Sequence, residues 1–129
     1  MSKITIITEG APRPVGPYSQ GIRTENLVFV SGQIPLDPGT GELIDGDIRA
    51  QTQRALQNVE SILVAGRSSL DMTVKMTVYL SDIADFPAVN EVFGEFFFDQ
   101  PPAREAVQVS ALPKGARIEI SAIGVATTQ

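Results

Sequence analysis

The stretch from Asp47 to Gly66 carries a helical pattern that a small chain can satisfy in few ways. Ile48, Ala55, Leu56, Val59, Ile62 and Leu63 recur at helical spacing, so their side chains share one stripe. Asp47 is placed to cap the first turn, because its carboxylate can accept orphan amide hydrogens, and Gly66 offers a left-handed stop. Gln51, Gln53, Arg54 and Gln57 fill the wet side. Such a stripe must be covered by another layer. The next patterned run, MTVKMTVYL (72–80), alternates with the period of a strand. Met72, Val74, Met76, Val78 and Leu80 fall on one face, with Thr73, Lys75, Thr77 and Tyr79 on the other. A second helix begins near Asp85, with Pro87 tolerated in its first turn. Phe86, Val89, Phe93, Phe96 and Phe97 make its apolar stripe, while Glu91 and Glu95 look outward.

The flanking segments supply further strands. Residues 3–8 alternate, and PRPVGPYSQ (12–20) is a Pro/Gly-rich loop leading into a strand near Ser19–Arg23. LVFVSGQIP (27–35) is apolar on both faces, as in a central strand or one covered twice. LDPGTGEL (36–43) is dense in turn residues. REAVQV and RIEISAIGV close the chain as two strands, giving the order β-β-β-α-β-α-β-β. The expected fold is α+β: one domain over residues 1–129, with two helices on one face of a mixed sheet.

Composition narrows the chemistry. The chain has no cysteine and no histidine, so thiolate zinc sites, Cys nucleophiles and Ser-His-Asp triads fall away. Acid–base work must rest on Asp, Glu, Lys, Tyr or water that they hold. A net charge of −5 argues against sequence-independent nucleic-acid binding, whose affinity comes mainly from Lys/Arg–phosphate contacts. No run approaches the ~18 apolar residues of a membrane span, and MSKITIITEG has no signal-peptide apolar block. The expected setting is the cytoplasm, or an organelle lumen.

The helices leave the sheet's second face to be explained. Taken as a strand, PPAREAVQV (101–109) sends Val107 and Val109 one way and Arg104, Ala106 and Gln108 the other. With Ile118 and Ile120 against the helices, Glu119 is expected on the second face beside Arg104 and Lys75. That face then reads as a subunit interface with a polar pocket in it.

Several blocks carry a resemblance. GPYSQG (16–21), VSGQIPLDPGTGEL (30–43), AQTQRALQNVESIL (50–63), VNEVFGEFF (89–97), PPAREAVQV and ALPKGARIEISAIGV (111–125) resemble the Rid/YjgF family of reactive-intermediate deaminases. The match runs in order over nearly the whole chain. It implies a chorismate-mutase-like fold, a homotrimer with clefts between subunits, and hydrolysis of short 2-enamino or 2-imino acids such as 2-aminoacrylate to 2-keto acids and ammonia. It implies no metal and no organic cofactor.

By that resemblance Arg104 is the carboxylate anchor, a task its planar fork suits. The plainer alternative is an ion pair with Glu119 or Glu105. Glu119 is the expected water-activating and proton-shuttling group, since a carboxyl in a partly dry cleft titrates nearer neutrality; otherwise it is a rim charge bonded to Arg117 or Lys114. Tyr18, Ser31, Gly32, Lys75 and Asn90 match the family's cleft as substrate-binding residues. Tyr18 could equally be loop packing, and Asn90 an exposed helix residue. Lys75 could hold Glu119 ionised or merely snorkel. Ala106 stands where many relatives have Cys or Thr, and Ser121 where a second acid is frequent. A ligand-sensing or protein-binding module that holds 2-keto acids without turnover is the alternative. Ribonuclease or translation-inhibitor activity, to which related proteins are linked, is the weaker one.

Overall fold

The computed structural model describes residues 2–127. Its strands are β1 (Ile4–Ile6), β2 (Gly21–Thr24), β3 (Leu27–Gln33), β4 (Thr73–Leu80), β5 (Ala103–Gln108) and β6 (Ile118–Val125). Its helices are α1 (Ile48–Ala65) and α2 (Phe86–Phe96). The expected order of elements and the α+β layering both hold. The six strands form one sheet in the order β1-β2-β3-β6-β4-β5. Every pairing is antiparallel except β4 with β5, which makes the sheet mixed.

The core lies between the helices and one sheet face. Ala55, Leu56, Val59, Ile62 and Leu63 of α1 and Val89 and Val92 of α2 are wholly buried there, against Val28, Met76, Val78, Leu80, Ile118 and Ile120. Asp47 caps α1 as expected, its carboxylate accepting from the Ala50 amide at 3.0 Å. Gly66, however, is not left-handed: its φ is −93°, and the left-handed residue is Arg67 at 69°. Glycine is needed at 66 for room, because a Cβ would stand 2.6 Å from the Ile6 side chain. Gln51 also departs from the wet side. It is buried, and its Oε1 accepts from the Arg117 amide at 3.1 Å.

Two register irregularities alter what each face carries. In β4 the pairing with β6 shifts between Thr73 and Lys75, so Thr73 is buried and Val74 is 47% exposed, the reverse of simple alternation. Met72 belongs to a short 3₁₀ turn before the strand. In β3 the pairing with β6 shifts between Val30 and Gln33, which gives Ser31 and Gly32 extra length opposite Ser121.

Edge strand β5 faces opposite to expectation. It runs parallel to β4, with Arg104 beside buried Met76, Ala106 beside buried Val78, and Val107 beside Tyr79. Paired residues share a face, so Arg104 and Ala106 lie on the helix side and Val107 on the uncovered side. The apolar-inward reading of β5 failed because the uncovered face is itself partly apolar: Phe29, Val74 and Val107 are all exposed on it.

Leu56→Ala removes a fully buried side chain at the centre of the α1–sheet contact. Urea unfolding should show a loss of about 2–5 kcal/mol, the usual range for such a truncation.

Candidate functional site

Two polar clusters emerge, one on each side of the sheet. The first is built on α2 and β5. Phe86, Asn90 and Phe93 sit at i, i+4 and i+7, so they line one face of α2 above Arg104. The Arg104 guanidinium carbon lies 5.3 Å from the Phe86 ring centroid and 4.9 Å from that of Phe93, within cation–π range. Its Nη2 donates to the Asn90 side-chain oxygen at 2.7 Å. Burial lowers the Arg104 pKa from its ordinary value, yet a guanidinium stays charged at neutral pH.

No acid pairs with that charge among the described residues. Arg49 takes Glu91 and Glu95, Arg117 takes Asp85, and Lys75 takes Glu105 at 3.2 Å. The ion pairs considered for Arg104, with Glu119 or Glu105, are therefore not formed. Of its five N–H donors, one goes to a neutral amide. The remainder can take an anion's oxygens.

The second cluster lies on the uncovered face at the β3 irregularity. Glu119 is half-buried, and its carboxylate lies over Gly32 so closely that a Cβ there would be 2.0 Å from Oε2. Gly32 is what lets the carboxylate lie flat on the strand. Burial raises the Glu119 pKa, with no cation offsetting the effect. Neither Arg117 nor Lys114 bonds to it: Arg117 is held by Asp85 at 2.9 Å, and Lys114 Nζ donates to the Gly41 carbonyl at 3.3 Å. Ser31 donates its hydroxyl to the Ser19 carbonyl at 2.6 Å, and its amide bonds to the Gln20 carbonyl at 2.9 Å. These bonds tie the loop bearing Tyr18 to the irregularity. Tyr18 is exposed and its hydroxyl accepts from the Val15 amide at 3.3 Å. Buried Asn58 fixes the following segment by donating to the carbonyls of Ile34 and Leu36.

The structure thus brings together Arg104 with Asn90, and Glu119 with Gly32, the chain neighbour of Ser31. It does not bring the two groups together within one chain. Arg104 pairs with Met76, which pairs with Ala122, whereas Glu119 pairs with Tyr79. Two strands sideways and three residues along the sheet place their Cα atoms about 14 Å apart, with side chains on opposite faces. The expectation that Arg104 shares the second face with Glu119 and Lys75 is corrected accordingly.

Lys75 is also separate from Glu119. It pairs with Ile123, four residues along the strand, or about 13 Å away. Together with Thr77 and Ser121 it lines a different shallow depression. Sequence reasoning assigned Phe86 and Phe93 to core packing and missed them as the clamp on Arg104. The signal was available in their spacing around Asn90. Tyr79, across from Glu119, was likewise passed over.

A family model described as Endoribonuclease L-PSP matches residues 8–126. The chain is 53% identical over 123 residues to a RutC family protein of Pyrococcus abyssi, covering 95% of this chain and 97% of the relative. It is 44% identical over 120 residues to the human 2-iminobutanoate/2-iminopropanoate deaminase, covering 93% and 88%. The crystal structure of the YjgF gene product from E. coli superposes with a TM-score of 0.90 at 43% identity, covering 95% of this chain and 98% of that one. A mixed sheet carrying two helices on one face makes this a small α+β domain. The chain belongs to the Rid/YjgF family.

The raised Glu119 pKa has a consequence for stability. Ionising this carboxyl is harder in the fold than in the unfolded chain, so stability is lost as pH rises from the ordinary carboxylate pKa through the raised folded one. Glu119→Gln removes that cost. Its melting temperature relative to the parent should rise as pH is raised above about 4, the ordinary carboxylate range, as followed by thermal denaturation. A constant difference would mean that Glu119 ionises as freely as an exposed acid.

Proposed function

We propose that the protein hydrolyses short 2-enamino and 2-imino acids to 2-keto acids and ammonia, without a metal or cofactor, in clefts between the subunits of a homotrimer. The observation that carries this reading is the separation of Arg104 from Glu119 by a whole sheet. A three-carbon acid cannot span about 14 Å, so a site using both residues takes one from each of two chains. Edge strand β5 carries the arginine at the boundary of the molecule, and the partly apolar uncovered face carries the acid. Both positions suit contact with a neighbour. The name of the human relative supports the reaction class. The RutC family name of the Pyrococcus abyssi relative specifies no reaction.

Arg104, oriented by Phe86, Phe93 and Asn90, grips the substrate carboxylate through its free N–H edge. The imine carbon then lies over the neighbouring subunit's acid. For an enamine, protonated Glu119 first donates to the terminal carbon, giving the 2-imino acid. The Glu119 carboxylate next removes a proton from water as its oxygen bonds to C2 and the C=N π electrons move to nitrogen. Returning that proton to nitrogen makes the amine of a carbinolamine a leaving group. The C–N bond breaks, ammonia departs, and the hydroxyl proton passes to the Glu119 carboxylate, which leaves the ketone and restores the acid. One water is consumed and one ammonia released.

A carboxyl pushed upward by burial fits a group that must both give and take a proton. A module that only held 2-keto acids would have no use for it. The net charge of −5 works against an RNA substrate.

Arg104→Ala and Arg104→Lys should both stay folded, with kcat/KM for 2-imino acids down at least ~100-fold, because a point charge does not replace the planar fork. Glu119→Gln should retain 2-keto acid binding while turnover falls ~10²–10⁴-fold. Imine-loss assays and calorimetric titration check these, with light scattering expected to give three chain masses for every variant. Parent-like turnover by Arg104→Ala would contradict the mechanism.

A further inference from the structure

Among the described residues, neither a close contact nor a left-handed φ requires glycine at position 94. It lies inside α2, where glycine weakens a helix through its backbone freedom. Beyond its chain neighbours and its own helix backbone, a Cβ built there meets no heavy atom within 4 Å, and its φ is not in the left-handed region. Three other glycines are held by close neighbours, since a Cβ would come within 2.7 Å at Gly21, 2.0 Å at Gly32 and 2.5 Å at Gly124, while Gly41 and Gly115 are open but left-handed. Gly94 instead opens onto a cleft of about 390 Å³, walled by Phe93, Phe97, Pro101 and Pro102 and bounded at one side by Arg104. The Phe93 and Phe97 rings stack at 5.7 Å, and the two prolines make a wall with fixed φ and no amide donors. The cleft therefore has more apolar than polar lining, with a cation beside it that no acid among the described residues neutralises.

That combination matches a carboxylate carrying a bulky apolar tail. A three-carbon imino acid anchored on Arg104 would leave most of the cleft unfilled. We propose that the cleft beside Arg104 receives the substrate side chain, so that branched aliphatic 2-imino acids are preferred substrates and the missing side chain at Gly94 sets the size limit. The proposal rests on the deaminase reading and adds the substrate class. Gly94 is a specificity determinant on this account, not a catalytic residue.

Gly94→Leu tests it. Leucine favours helix and the site is empty, so the variant should melt no lower than the parent. Imines of leucine and alanine, generated in place by an amino-acid oxidase, are followed by trapping the free imine. The ratio of kcat/KM for the leucine-derived imine to that for the alanine-derived one should fall at least ~10-fold in the variant. A ratio within ~2-fold of the parent's overturns the proposal. So does dissociation of the assembly in light scattering, which would assign Gly94 to a subunit contact. If the parent turned over neither imine, the deaminase reading would fail, and calorimetry with 4-methyl-2-oxopentanoate and pyruvate would still decide the cleft. The branched acid should bind the parent more tightly and lose that preference ~10-fold in Gly94→Leu. Equal binding of both acids, or binding of neither, overturns it.

Discussion

A strand sends successive side chains to opposite faces, and this sheet is covered by helices on one face only. Arg104 and Glu119 both take their positions from that parity. Arg104 lies on the helix side because β5 runs in register with β4, putting it beside Met76. Glu119 lies on the uncovered side because Ile118 and Ile120 on either side of it fill the core. Shifting either strand by one residue would move its whole apolar set out of place, so packing holds the two functional groups apart.

Each half-site is then shaped by a local device. On the helix side, two phenylalanines and an asparagine orient a guanidinium without neutralising it. A carboxylate partner would have made a firmer internal bond and left less charge for a ligand. On the uncovered side, the β3 irregularity and Gly32 let the Glu119 carboxylate lie against the strand, where burial holds its pKa above the ordinary range. The side chains of Asn58 and Ser31 hold the loops that frame the acid.

Element order, the two helical stripes and the faces of β6 were legible in the sequence, since each rests on strong periodicity over many residues. What failed was parity where a strand is short, at an edge, or irregular. Val74 was placed inward because a register shift cannot be seen in alternation, and Arg104 was placed outward because Val107 was read as a core residue. Gly66 was read as a left-handed stop, though room against Ile6 is what its position requires. Gln51 was read as wet because a buried glutamine is recognisable only by its partner, here the amide of a residue 66 positions away. The choice of Arg104 and Glu119 as the chemical pair came from family resemblance, and the structure adds that one chain cannot bring them to the same small molecule.

That last point is the central claim, and subunit complementation tests it directly. Arg104→Ala and Glu119→Gln chains, each inactive alone, are unfolded together in equal amounts and refolded so that they mix. If each site takes its arginine from one chain and its acid from the next, random mixing leaves about one quarter of the sites with both intact residues. The mixture should therefore recover about a quarter of the parent's activity per site. Mixed assemblies that stay as inactive as their parents would show that both residues act from the same chain.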